Sequence, residues 1–227
     1  MIDFLASMPV TYRRSFGAAE VTEHAAIAAR RGSALAHAEL CQGPQGWLVC
    51  VVADDRPGLL SLLTDALLLH GFGIRSAQAY GRMRSDGTAE AVDFLELQQR
   101  GGSPFEAPEL EAFLQTLKEL LAEDIRASAR ASTPPPRGAP AARVYFELEA
   151  LRRGQYVLLI EAPDSQGLLH GITSALHAQG ARVLTGQMHT DAGVARDRFE
   201  LASVTGEVLS GVDLCDIQLA VLDALPR

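Results

Sequence analysis

Cysteine and tryptophan are scarce in this sequence. Its 227 residues include three cysteines and one tryptophan. Cys41, Cys50 and Cys215 form no Cys-x-x-Cys pair, so they indicate neither a disulfide framework nor a zinc site. Cys50 lies inside an apolar run, where a thiol behaves as a small hydrophobic group. We therefore expect reduced, inert thiols and a cytoplasmic location.

Long hydrophobic runs and an excess of basic residues are also missing. The start of the chain, MIDFLASMPVTYRRSF, lacks the apolar core of a secretion signal, and no apolar stretch approaches the roughly 20 residues that cross a bilayer. The formal net charge is -8, which argues against a partner bound through phosphates, because such binding needs a basic face. We expect neither a membrane nor a nucleic acid as partner.

Spacings typical of catalytic or metal sites are absent from the sequence. None of its six histidines shows the His-x-x-x-His spacing of a metal site. Asp54 and Asp55 are adjacent, so in a strand they would point to opposite faces and make a poor catalytic pair. Ser61 and Ser174 have no recognisable base. We expect no metal, no cofactor and no enzymatic activity.

What the sequence does contain is an internal repeat. Trp47–Leu60, WLVCVVADDRPGLL, matches Tyr156–Leu169, YVLLIEAPDSQGLL, at an offset of 109 (156 minus 47). The offset holds through Gln78 and Gln187 and then falls to 104, as for Asp93 and Asp197 (197 minus 93), because the second hairpin is shorter. The repeat predicts two related modules.

Each module begins with a short apolar run typical of a central strand. A helix, a two-stranded hairpin and a second helix follow in both copies. We expect Val144–Leu148 to close the first module, which gives a ferredoxin-like βαββαβ order and an α+β fold with antiparallel sheets. Alternatively, Ala34–Leu40 and Val144–Ala150 each form a hairpin strand just before the first strand of their module.

The chain therefore divides into four parts. Residues 1–33 are a helical appendage, with a helix over Gly17–Arg31 that packs on the first module or on a partner chain. The first module covers 34–131, a stiff Pro-rich linker covers 132–142, and the second module covers 143–227.

The strand-to-helix turn Asp55-Arg56-Pro57-Gly58-Leu59-Leu60 is the candidate site. Its glycine lets another group approach the unpaired N–H groups that open a helix, where a carboxylate is attracted. Under the alternative interpretation Asp55 only caps the helix and Gly58 only permits close packing. The second copy keeps the acid, the glycine and both leucines but has Ser165 and Gln166 in place of Arg56 and Pro57.

These motifs resemble the ACT domain family. The segments ADDRPGLL with HGFGI, and APDSQGLL with QGARV, carry the resemblance. The tandem pair, with RVYFEL between the copies and a leading EVTEHA helix, is most similar to the C-terminal regulatory region of the bifunctional PII uridylyltransferase and uridylyl-removing enzyme family. The nucleotidyltransferase and hydrolase motifs of that family are absent from this sequence.

The resemblance implies a non-enzymatic allosteric sensor in nitrogen metabolism that binds an amino acid where modules meet and signals to a protein partner. The ligand-binding residues that it implies are Asp55, Arg56, Pro57, Gly58, Leu59, Leu60, Gly73, Ile74 and Gln78 at the first site, and Asp164, Gly167, Leu168, Leu169, Ala181, Arg182 and Gln187 at the second. Ser165 and Gln166 depart from the family pattern, so the turn at Asp55 is the stronger candidate.

Two other functions stay open at this stage. One is a ligand-free dimerisation or protein-interaction module of the same fold, and the other is an enzyme, since a fold does not determine function. Apolar strand faces need cover, so we expect either a homodimer or pairing of the two modules within one chain.

Overall fold

A computed structural model describes residues 2–43, 46–99, 107–122 and 141–225. These form two compact units. The first contains residues 2–43, 46–56, 70–99 and 107–122, and the second contains 57–69 and 141–225. Residues 132–140 of the expected linker lie outside the described residues, so the linker remains a prediction. The fold of each unit is α+β.

The first unit is built on a four-stranded antiparallel sheet in the order β1-β2-β4-β3. The strands are β1 (Ala36–Gly43), β2 (Gly46–Asp54), β3 (Phe72–Met83) and β4 (Ala89–Gln99). The continuous apolar run of the sequence becomes β2, which lies between two neighbours and is buried along Val49–Ala53. Helix α5 (Ala107–Ala122) packs against β1.

The second unit repeats this sheet in the order β5-β6-β8-β7. Its strands are β5 (Arg143–Phe146), β6 (Tyr156–Pro163), β7 (Ala181–Asp191) and β8 (Val194–Ser203), and its helices are α4 (Leu59–Leu69), α6 (Leu148–Arg152), α7 (Leu168–Ala178) and α8 (Gly211–Ala224). Both sheets contain the same irregularity. The register shifts between Ile74 and Ser76 and, 109 residues later, between Val183 and Thr185.

The expected closing strand of the first module is wrong. Val144 pairs with Ile160 inside the second unit, whereas the edge strand next to β2 is β1, with Ala36 opposite Ala53. Each copy therefore has the order ββαββα rather than βαββαβ, with the short α6 inserted between β5 and β6 in the second copy. The alternative of a preceding strand is confirmed for both modules, but the expected strand Val144–Ala150 is wrong beyond Phe146, because Leu148–Ala150 belong to α6. The strand just before β2 in the sequence pairs with it at a smaller loss of chain entropy than a strand that follows α5 would.

Three N-terminal helices cover one face of the first sheet. They are α1 (Ile2–Ser7), α2 (Val10–Ser15) and α3 (Ala18–Arg31), of which only α3 was expected. Tyr12 packs edge-on against Tyr80 of β3, and Phe16 contacts Phe94 of β4. The Tyr12 hydroxyl and His24 Nδ1 form a hydrogen bond of 2.8 Å. Burial lowers the pKa of His24 to about 4. The appendage thus packs on the first unit.

The second sheet has charged residues at the repeat positions where the first sheet has the apolar residues covered by the N-terminal helices. Val52, Val92 and Phe94 are buried beneath the N-terminal helices. Their counterparts at offsets of 109, 104 and 104 are Glu161, Arg196 and Arg198, which are partly exposed. Charged side chains on the second sheet are stable in contact with water, whereas the apolar side chains on the first sheet are not. This difference in sequence explains why the N-terminal helices cover the first sheet.

A buried ion network holds the end of α3 against the first sheet. The carboxylate of Glu90, with a side chain only 1% exposed, accepts hydrogen bonds from Arg31 Nη1 at 2.8 Å and from Arg82 Nε at 2.7 Å. Arg31 also pairs with Asp54. Arg84 Nη1 lies 3.8 Å from the same carboxylate, so three guanidinium groups compensate the buried charge of Glu90.

Candidate functional site

The two candidate turns have the same backbone geometry. Asp55 N donates to Ala89 O at 3.1 Å, and Asp164 N donates to Gly193 O at 2.9 Å, at equivalent places in the repeat. Gly58 and Gly167 both adopt left-handed backbone angles, with φ of 80° and 86°. A residue with a side chain is strained in that conformation, which explains why both copies of the turn have glycine at this position.

Asp164 does not cap the helix that follows it. The N-cap of α7 is Gly167, and no side chain caps this helix. The Asp164 carboxylate instead accepts hydrogen bonds from the Ser165 backbone N–H and the Thr190 side chain. Burial raises the pKa of Asp164, and these two bonds oppose the rise.

A second, buried aspartate lies near the turn aspartate in each unit. Burial and the nearby charge of Asp55 raise the pKa of Asp93 to about 8, and burial and Asp164 raise the pKa of Asp197 to about 7. The two buried carboxylates also have equivalent partners, since Asp93 accepts from the backbone of Tyr80 and Asp197 from that of His189, 109 residues later. The carboxylate pair is thus duplicated with the turn.

Sequence reasoning missed these pairs. In the sequence, Asp93 and Asp197 stand out only as matching positions of the repeat. The signal that could have identified them is an acid present at the same place of the fourth strand in both copies, within the apolar AVDFL and within ARDRF. A buried carboxylate is costly, so its retention in two copies needs a physical reason.

Gly58 has a packing role. A Cβ atom at this position would lie 3.0 Å from Cε1 and Nε2 of His177, whose half-buried ring packs against the turn. The group that approaches this backbone is therefore an imidazole of the same unit. Its Nδ1 is buried and has no hydrogen-bond partner among the described residues.

The remaining expected site residues separate into buried and accessible groups. Leu59, Leu60, Leu168 and Ala181 are buried in the core, whereas Arg56, Gly73, Ile74, Leu169 and Arg182 are half-buried, and Pro57 and Gln187 are exposed. Gln78 accepts a hydrogen bond from the Tyr80 hydroxyl at 2.6 Å. The buried leucines of the motif therefore anchor the helices, whereas Asp55 is half-buried and Asp164 is exposed.

Polar side chains also meet between α4 and α7, which belong to the same unit. Ser61 Oγ lies 2.7 Å from Ser174 Oγ, and Thr64 Oγ1 lies 3.3 Å from His170 Nδ1. Ser174 Oγ is 3.5 Å from His170 Nε2, so the structure does bring a base to a serine for which the sequence indicated none. His170 is only 2% exposed, so this cluster is mostly buried between the two helices.

Neither a metal site nor a membrane span is found in the described part of the chain. Within residues 2–43, 46–99, 107–122 and 141–225, no three His, Cys, Asp or Glu side chains are grouped so that they could hold a metal ion. No helix in those ranges is both long and apolar enough to cross a bilayer.

Comparisons with known proteins identify no family for this chain. No protein-family model matches the chain, and no curated protein matches it. A crystal structure of an unknown protein from Galdieria sulphuraria is similar, with 20% identity over 68% of this chain and 78% of that chain, and a TM-score of 0.20. A likeness this weak carries no argument about fold or function.

Proposed function

We propose that the protein is a non-enzymatic regulator of the tandem ACT type, with two α+β modules that bind an amino acid at the Asp-x-x-Gly turns. The observation that carries the proposal is the duplicated carboxylate pair, Asp55 with Asp93 and Asp164 with Asp197, each at a turn that leads into a helix. Signalling to a protein partner completes the proposed function.

The chemistry of the second turn suits a zwitterion. Asp164 supplies negative charge for an ammonium group, and that group would in turn favour the ionised form of the buried Asp197. The start of α7 has no side-chain cap, and the N–H groups of a first helical turn attract a carboxylate. Opposite ends of an α-amino acid thus meet groups of opposite polarity within one unit.

Titration calorimetry with the twenty amino acids tests this function. We expect at least one of them to bind, and Asp164→Asn and Asp55→Asn to weaken binding at the turn that each carries by tenfold or more. Asp216→Asn is the matched control, because Asp216 is exposed on α8, and it should leave the affinity unchanged. Failure of all twenty to bind the folded protein would refute the proposal.

A second candidate function is a ligand-free dimerisation module of the same fold. The His177 ring against Gly58 favours it, because this contact gives the glycine a packing reason that needs no ligand. Under this function the calorimetric titrations are flat, while sedimentation shows a dimer that persists in Asp55→Asn and Asp164→Asn. The two candidates therefore predict opposite results in calorimetry, whereas a dimer in sedimentation is compatible with both.

A further inference from the structure

Helix α8 carries apolar residues on its outer as well as its inner face. Its inner residues Ile217 and Val221 are buried, and the helix packs against α7 and β5. The outer residues Val212 and Leu219 are 69% and 59% exposed. An exposed group of apolar side chains bordered by polar ones is typical of an interaction surface.

The outer residues form a continuous stripe. Val212, Cys215 and Leu219 follow one another at intervals of three and four residues, the spacing of one side of a helix that packs on another helix, and Val208 lies four residues before Val212 in the segment that leads into α8. Val208, just before the helix, is 84% exposed, and Cys215 is exposed as well. We call these four residues the α8 stripe.

The repeat supplies an internal comparison for this stripe. Helix α5 corresponds to α8 at the offset of 104, and its buried Leu117 matches the buried Val221 (221 minus 117). On the outer face, however, α5 has Glu111 and Gln115 where α8 has Cys215 and Leu219. Gln115 donates a hydrogen bond to Glu119 on that face, so α5 has the polar surface expected of a solvated helix. The same fold position is thus apolar in only one copy.

The charges beside the α8 stripe indicate which kind of helix can bind there. Helix α8 contains Asp213, Asp216 and Asp223 and no lysine or arginine. In a contact between two α8 helices these acids would face like charges, which opposes self-association. A partner helix with lysine or arginine beside its apolar face would instead pair with them.

We propose that the α8 stripe is a docking site for a basic amphipathic helix of a partner protein. The apolar side chains of that helix cover Val212, Cys215 and Leu219, and its cations lie beside the three aspartates. This inference concerns a surface other than the Asp-x-x-Gly turns, and it holds whether or not an amino acid binds there.

The probe is a fluorescent 18-residue peptide of leucine and lysine with amphipathic helical spacing. A peptide with glutamate in place of each lysine is the charge control. We expect anisotropy titrations to show saturable binding of the lysine peptide only. In the double variant Cys215→Glu, Leu219→Gln, which carries the residues of α5, the affinity should fall tenfold or more.

This variant separates apolar docking from charge attraction. Cys215→Glu adds negative charge, so an attachment of the peptide through charge alone would become stronger, and that result would overturn the proposal. Met83→Gln is the matched control, because Met83 is an exposed apolar residue on β3 in the other unit, and it should leave the affinity unchanged. An equal loss in both variants would also overturn it.

Sedimentation of the free protein tests whether a second copy of the chain, rather than a partner helix, covers the α8 stripe. A monomer, or a dimer that persists in the double variant, agrees with docking of a partner helix. A dimer that the double variant dissociates would show that a second copy of the chain covers the stripe, and the proposal would then be wrong. Both substituted residues are exposed, so the variant is expected to fold, and circular dichroism checks this.

Discussion

Thr64 and Thr173 are equivalent residues of the repeat, 109 positions apart, and their hydroxyl oxygens lie 3.3 Å from each other. The helices α4 and α7 therefore meet at the same residue of each copy. Thr64 also donates to the Leu60 carbonyl, and Thr173 to that of Leu169, so each hydroxyl has a partner on its own helix. The contact is polar yet buried, and its hydrogen bonds are satisfied locally.

The contribution of this pair can be measured with a double-mutant cycle. We expect Thr64→Val alone to reduce the free energy of unfolding by about 1 kcal/mol, because one buried hydroxyl loses a neighbour. Thr64→Val with Thr173→Val should cost less than the sum of the two single changes, since both polar groups are then replaced by apolar groups of the same shape. Urea unfolding gives the three values. Strict additivity would show that the two hydroxyls do not interact.

The buried carboxylate of Glu90 should matter far more than an exposed one. Glu90→Gln leaves Arg31 and Arg82 without their shared negative charge, so we expect the free energy of unfolding to fall by roughly 3 kcal/mol or more. Glu149→Gln is the control, because the Glu149–Arg152 pair is exposed and should contribute less than about 1 kcal/mol. Equal effects in urea unfolding would contradict the network described for α3.

The repeat made much of the fold predictable. Both central strands, both hairpins and α4 and α7 follow from the periodicity around the two copies of Asp-x-x-Gly-Leu-Leu, and their observed bounds lie close to the expected ones. The edge strand was misassigned, because the pattern of Val144–Leu148 shows that it is a strand but not which neighbour it pairs with. Pairing depends on chain entropy and register, neither of which a local pattern contains.

The candidate site was less predictable than the fold. The turn aspartates could be found from sequence because they belong to a motif, whereas Asp93 and Asp197 lie 38 and 33 residues further along the chain (93 minus 55, and 197 minus 164). Helices α1 and α2 were missed for a related reason, since six-residue helices are stabilised by tertiary packing around Tyr12 rather than by their own periodicity.

Thiol reactivity should distinguish Cys215 from the other two cysteines. Burial raises the pKa of Cys41 to about 12 and that of Cys50 well above its ordinary value, and the thiolate is the reactive form. We expect a disulfide reagent to modify one thiol per chain rapidly in the native protein and three after unfolding. Cys215→Ser should abolish the rapid phase, and a rapid phase that remains in this variant would contradict the buried environment of Cys41 and Cys50.

Stability should decline as pH rises through neutrality because of Asp93 and Asp197. Their pKa values, raised to about 8 and about 7, mean that above the ordinary value of 3.8 the folded chain keeps protons that the unfolded chain has released. Unfolding then releases protons, so the stabilisation is complete below pH 3.8 and is lost as the pH rises through 7 and 8. Asp93→Asn should flatten the dependence of unfolding free energy on pH between 4 and 8, whereas Asp216→Asn should leave it unchanged. A steeper dependence in Asp93→Asn would contradict the raised pKa.

The same protons connect the fold to the proposed ligand. An ammonium group placed beside Asp164 and Asp197 favours the ionised form of both, so it lowers the pKa that burial had raised. Binding of an amino acid at pH 6 should therefore release protons, which calorimetry detects as a dependence of the binding enthalpy on the ionisation enthalpy of the buffer. In Asp197→Asn the release should become smaller while the Asp55 turn still contributes its own. Binding with no proton release in the wild-type protein would place the ligand away from these carboxylates.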